Sequence, residues 1–194
     1  MKKIPSVFER DWDGDRRYVL DKIVVDIPKE AIPTRKYDGT AVLIKDGVMY
    51  KRYDCKRGRA KPNGFIPCGP MDEKTGHWVG WLIVSDRPDD LWHRETFADI
   101  CEDGTFELCG PKVNGNAEHL DAHELIRHGS APLSEVPWPI TFSGIQAYLA
   151  SHEMEGIVWW LDGEPIGKIK RCDFGIEWPI SKGNDEGELV TDTG

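Results

Sequence analysis

Four separated stretches carry side chains that together could do chemistry at phosphorus. Lys36 stands in TRKYDG (34–39), directly ahead of the apolar run AVLI (41–44). Glu107 lies in FELCGPKVNGN (106–116), Glu155 in MEGIVWW (154–160), and Lys168 and Lys170 in GKIKR (167–171). A free lysine amine has a pKa near 10.4, so only about one in a thousand is neutral near pH 7. Burial and neighbouring cations such as Lys168 and Lys170 are expected to lower that value for Lys36 and raise its nucleophilic fraction. The same two ammonium groups could balance charge developing on an attacked phosphate.

Strands are needed to bring these residues together. Short apolar runs bounded by Gly, Pro and Asp predict strands over 18–27, 40–44, 47–53, 77–85, 105–110, 155–161 and 165–171. KDG (45–47) predicts a hairpin turn. Residues two apart on a strand share a face, so Lys168 and Lys170 point one way and Ile169 the other. Ala41, Leu43 and their neighbours are expected to anchor the strand behind Lys36. Helical spacing is read over 116–129 and 141–152, the second with Ile145, Tyr148 and Leu149 on one face, and a short third helix within 88–100. His119 and His123, four apart, read as a surface pair on the first of these helices, with no third metal ligand evident. Cys109 reads as a buried strand residue.

At 194 residues the chain has room for one well-buried core and is short for two domains. Eight tryptophans and 39% hydrophobic residues exclude a disordered class. The net charge of −9 rules out a generally basic surface, so any nucleic-acid contact must be local. KRYDCKRGRAK (51–61) is the local exception. Lys56, Arg57, Arg59 and Lys61 there are the candidate RNA-backbone patch. Five cysteines without a C-x-x-C pair suggest reduced thiols. The absence of a long apolar run predicts no membrane span, and the chain reads as cytoplasmic.

Lys36-Tyr37-Asp38-Gly39, Glu107, Glu155-Gly156-Ile157-Val158 and Lys168-Ile169-Lys170 resemble, in order and spacing, motifs I, III, IV and V of the covalent nucleotidyltransferase superfamily. That superfamily contains polynucleotide ligases and mRNA-capping enzymes. FELCGPKVNGN and IKRCDFGIEWP look closest to the ATP-dependent RNA ligases, in particular to a small family related to the vertebrate 5′–3′ RNA ligase. The resemblance implies an α+β fold, a single nucleotidyltransferase (ATP-grasp-like adenylation) domain over residues 1–180 with antiparallel sheets flanked by a few helices. Residues 181–194 read as an acidic, frayed tail.

The resemblance further implies an RNA ligase acting in three steps. Lys36 takes AMP from ATP, passes it to an RNA 5′-phosphate, and a 3′-OH then displaces it, as in RNA repair. Asp38, Gly39, Arg52, Glu107, Glu155, Lys168 and Lys170 would bind the nucleotide, with Glu107 on the ribose and the two lysines on the α-phosphate. Asp38 and Glu155 would hold Mg2+ or Mn2+, directly or through water. An aromatic ring should stack on adenine, and Trp92, Phe97, Trp138 and Phe142 are candidates. Arg35 would either lower the Lys36 pKa or contact a phosphate.

DNA ligases and capping enzymes carry an oligonucleotide-binding-fold domain after motif V. Only 24 residues follow Lys170, so no such domain is expected. A partner protein or domain could take its place. Two other readings stay open: an adenylyltransferase serving a non-RNA acceptor, and a non-catalytic nucleotide- or RNA-binding module.

Overall fold

The chain passes from one sheet to another at Lys36, and the fold is best described around that crossing. A computed structural model describes residues 1–97 and 102–180. Strands β1 (Phe8–Arg10) and β2 (Val19–Ile23) form an antiparallel ribbon. β3 (Ile32–Lys36) ends on Lys36, and after the corner Tyr37-Asp38-Gly39 the chain enters β4 (Thr40–Lys45). β5 (Val48–Lys56), β6 (Ile66–Pro67) and β7 (His77–Ile83) follow. Then come α1 (Leu91–Phe97), β8 (Gly104–Cys109), β9 (Glu124–Arg127), α2 (Phe142–Ala150), β10 (Gly156–Leu161) and β11 (Glu164–Lys170). The result is an α+β fold of mostly antiparallel sheets. One sheet has three strands in the order β11-β10-β3, the other six in the order β6-β7-β5-β4-β8-β9.

Each sheet turns one face to its own hydrophobic core. Ile157, Trp159 and Ile169 of the three-stranded sheet pack with Ile145, Tyr148 and Leu149 of α2. Val42, Ile44, Phe106 and Leu108 of the six-stranded sheet pack with Met49 and Val113 and are covered by Trp92 and Phe97 of α1. Burying about 25 cal/mol per Å2 of apolar surface makes these two faces the non-negotiable ones. The opposite faces look into a common cleft, lined from one sheet by Thr34, Lys36, Val158 and Lys168 and from the other by Ala41, Arg52 and Glu107.

The strand expectations hold with shifted ends. The 18–27 strand is only β2, because Val24 and Val25 turn to donate to the Val7 carbonyl. The hairpin at Asp46-Gly47 forms with both residues at positive φ, 52° and 71°, which a mirror-type turn requires. The helix over 142–150 forms, capped by Thr141, whose hydroxyl accepts from the Gly144 amide. The helix within 88–100 forms as a 3-10 turn and α1, and residues 98–100 lie outside the described residues.

Two expectations are corrected. Residues 116–129 are not helical: after a 3-10 turn at Asn114–Asn116 they supply β9, paired with β8. His119 and His123 therefore share no helix face. The strand behind Lys36 is anchored by Val42 and Ile44, at 0% and 2% exposure, not by Ala41 and Leu43. A one-residue difference in register reverses both faces of a strand, and here it puts Ala41 on the cleft. The 181–194 tail and Cys101 lie outside the described residues.

Candidate active site

The pairing of the three-stranded sheet assembles the site. Lys36 and Lys170 both pair with Gly156, and Thr34 and Lys168 both pair with Val158. Paired residues share a face, so Lys36, Lys168 and Lys170 stand on one side of the sheet while Ile157 and Ile169 enter the core on the other. β3 is an edge strand of this sheet, which is why Pro33 is tolerated in it. Its outer side is held by the loop after β9, where Arg35 donates to the Ala131 carbonyl and Leu133 to that of Pro33.

Glu155 immediately precedes β10 and has only 9% of its side chain exposed. Its Oε2 accepts from Lys36 Nζ, and its Oε1 lies 3.8 Å from Lys170 Nζ. Lys36 also donates to the Tyr37 carbonyl at 3.2 Å. Burial by itself would lower the Lys36 pKa, but the charges of Glu155, Glu107 and Asp38 outweigh it and raise the value. This corrects the expectation of a depressed pKa: three carboxylates surround the amine, and they outweigh its burial. The cation that is depressed is Lys168, brought to about 8 by burial and then by the charges of Lys36 and Lys170. Burial pushes Glu155 upward against the pull of Lys36.

The corner after Lys36 is fixed by groups far away in sequence. The Asp38 amide donates to Glu118 Oε1 at 2.8 Å, and Arg35 pairs with Glu118 Oε2 at 2.6 Å. Arg35 thus contributes to holding this corner, with its guanidinium over the Tyr37 ring at 5.1 Å. The Asp38 carboxylate accepts from Asn114 Nδ2 and Trp178 Nε1, each at 2.9 Å. Gly39 packs so closely on β8 that a Cβ there would lie 2.2 Å from the Leu108 carbonyl oxygen. Its role is contact with a neighbouring strand.

Across the cleft, Glu107 Oε2 meets His128 Nε2 at 2.8 Å, and both residues line the cavity. Arg52 lies over the Trp81 ring and donates to the Met1 carbonyl at 2.7 Å, so residues 1–4 form part of the cleft wall. The cavity holds about 280 Å3, close to the lower end of small-molecule sites.

Not every expected site residue lines this cleft: Lys36, Arg52, Glu107 and Lys168 do, while Asp38, Gly39, Glu155 and Lys170 do not. Lys56, Arg57, Arg59 and Lys61 are exposed on and beyond the end of β5 and do not line it. None of the candidate stacking residues lines it either. Trp92 stacks on His123, Phe97 packs on the second core, Phe142 sits against Phe8 and Phe174, and Trp138 is largely exposed. The aromatic groups on the cleft are Tyr37, His77, His128 and Trp160. Sequence reasoning missed them, and missed Glu118, because nothing in the local spacing marks a residue that acts through a strand pairing. Cys109 is buried, and burial together with the charge of Glu107 pushes its thiol pKa up, which makes it inert.

Among the described residues no group of three or more His, Cys, Asp or Glu side chains converges to hold a metal. Asp38 and Glu155 already accept hydrogen bonds within the protein. They suit a cation that keeps its water shell, as Mg2+ does, better than a directly ligated one. No helix among the described residues is long and apolar enough to cross a membrane.

Comparison with known proteins agrees with the motif resemblance. The family described as RNA ligase 1 matches residues 95–188, the part that carries Glu107, Glu155, Lys168 and Lys170. RNA ligase 1 of Danio rerio is 34% identical in an alignment of 148 residues that covers 58% of this chain and 45% of that protein. The chain thus spans about half the length of that relative. Both matches point to an RNA ligase family.

Proposed function

We propose that this relative of the RNA ligase 1 family is an ATP-dependent nucleotidyltransferase that joins RNA ends through Lys36. The observation that carries the reading is the shared sheet face: Lys36, Lys168 and Lys170 stand together around Glu155, beside a nucleoside-sized cleft. The adenylation fold, ATP, and RNA with 5′-phosphate and 3′-OH ends follow from the resemblance and are part of the proposal.

In the resting protein Lys36 is an ammonium held by Glu155. In the first step that proton passes to Glu155, whose raised pKa suits it to accept one. The Nζ lone pair forms a bond to the α-phosphorus, the bond to the bridging oxygen breaks, and pyrophosphate leaves with that electron pair. Nζ sheds its second proton to solvent, giving lysyl-AMP. An RNA 5′-phosphate oxygen then displaces Nζ, which leaves as the amine and regains its protons. Finally the 3′-OH oxygen attacks the 5′-phosphorus, loses its proton, and AMP departs. Lys168 and Lys170 stabilise charge on the α-phosphate throughout. Glu107 receives the ribose hydroxyls, with His128 fixing its orientation. Asp38 and Glu155 would hold a hydrated Mg2+ or Mn2+, which would supply positive charge beside the phosphates.

The test is incubation with α-labelled ATP and Mg2+ followed by a denaturing gel. Label retained by wild type, absent from Lys36→Ala and released by pyrophosphate is the expected result. Label that survives in Lys36→Ala would remove the nucleophile assignment. Lysyl-AMP that forms but is not discharged by 5′-phosphorylated RNA would point to a different acceptor.

A further inference from the structure

Glu155 stands between two depressions. Lys36, on its Oε2 side, lines the nucleotide cleft. Lys170, on its Oε1 side, lines a second and more open groove, together with Arg10, Arg17, Tyr18, Cys172 and Trp178. Trp178 on this groove also reaches the corner after Lys36, where its indole donates to the Asp38 carboxylate. We propose that this second groove receives the 5′-phosphorylated end of a single-stranded RNA, with the terminal phosphate toward Lys170. The inference rests on the RNA-joining function proposed above and supplies the acceptor side of that same site.

The chemistry of the groove fits a strand end. Three cations line it against two carboxylates, Asp173 and Glu177, and two aromatic side chains offer flat surfaces on which bases can stack, the combination of cations and rings that binds single strands without reading sequence. Arg17 is 78% exposed in its side chain, and its carboxylate partner Asp15 is 39% exposed. An exposed pair of this kind contributes little to stability, so a phosphate can replace the carboxylate at small cost. Arg10, by contrast, is tied to the buried Asp173 at 2.9 Å and serves as a fixed wall. The Tyr18 ring is braced against Gly175, where an added Cβ would come within 3.3 Å of it. The basic loop at Lys56–Lys61 has no comparable link to Lys36. It lines neither depression, whereas Lys170 belongs to both the groove and the Lys36–Glu155 cluster.

Cys172 provides a probe that is independent of catalysis, being exposed on the groove while Cys55 and Cys109 are buried. The full chain is pulsed with a maleimide, with and without 5′-phosphorylated single-stranded RNA, and Cys172 is followed by peptide mass mapping. RNA is expected to slow its alkylation severalfold, whereas a matching RNA with a 5′-hydroxyl protects it less. Arg17→Ala combined with Tyr18→Ala should bind RNA roughly tenfold more weakly. Its log–log salt dependence should be shallower by about 0.7, one phosphate contact, with self-labelling on Lys36 unchanged. Unchanged Cys172 reactivity under saturating RNA would overturn the proposal. So would equal protection by both RNAs, or RNA binding that depends on Lys56, Arg57, Arg59 and Lys61 and not on Arg17. Protection of Cys172 without any lysyl-AMP would instead leave the groove standing and defeat the ligase reading.

Discussion

Two lysine–carboxylate contacts in this protein look alike locally and differ in what surrounds them. Lys51 meets Asp90 and Lys36 meets Glu155; the lysines are 25% and 21% exposed, the carboxylates 0% and 9%. Asp90 also accepts from the amide and hydroxyl of Ser85, at 2.9 and 2.7 Å. Burial pushes the Asp90 carboxyl up, but these hydrogen bonds and Lys51 bring it down to about 2. That pair is a closed arrangement in which every charge has its partner. Around Glu155 three lysines and three carboxylates compete, and the pKa values of Lys36, Glu155 and Lys168 all depart from their usual range. A saturated pair holds strands together, while an unsaturated cluster has protons and charge to exchange with a ligand.

Deleting each lysine separates the two contacts most strongly. Lys36→Met should lose all self-labelling with ATP while its urea midpoint moves little. Lys51→Met leaves Asp90 buried without its cation and should lose about 3–5 kcal/mol of stability, yet still label per folded molecule. A folded but unlabelled Lys51→Met would move that pair into the site. Next in size is Glu155→Gln. Removing the charge that raises the Lys36 pKa should shift the pH dependence of labelling to lower pH. Losing the proton acceptor should slow it roughly a hundredfold. An unshifted profile would mean that Glu155 does not set the protonation of Lys36.

Acid separates the two pairs further. Asp90 is depressed in the folded state, so its contribution is present above the unfolded value of roughly 4 and is lost as pH falls through about 2. Asp90→Asn should flatten that part of the acid unfolding curve; an unaltered curve would show that Asp90 is not the group responsible. The smallest effect is expected at Lys168. Its folded pKa of about 8 lies below the unfolded value of roughly 10.4. Between those values the unfolded chain holds a proton that the folded chain has shed, so stability from this group rises with pH. Lys168→Met should therefore melt slightly higher than wild type near pH 7 and lose the advantage by about pH 10. Equal melting temperatures at both would mean that the buried charge carries no penalty.

Much of the fold was legible where one face of an element is apolar. β4, β5, β7, β8, β10, β11 and α2 were readable because burial imposes a period on their residues. β3 was not, since Ile32–Lys36 carries a proline and two cations and is held by its edges, by β10 and by the 131–133 loop. β9 was lost for a related reason: Leu120, His123 and Ile126 fall at helical spacing, and only pairing with β8 decides for a strand. Within the candidate site, the residue types and order were visible, but Glu118 and His128 entered it only through contacts 80 or more residues away and across neighbouring strands, respectively.

Residue type and short periods along the chain set the reactive side chains, the faces of β10, β11 and α2, and the resemblance to RNA ligases. The tertiary structure decided the charge state of Lys36. Whether burial or three carboxylates dominate an amine depends on how the folded chain packs around it, which is not written in the spacing of residues along the chain.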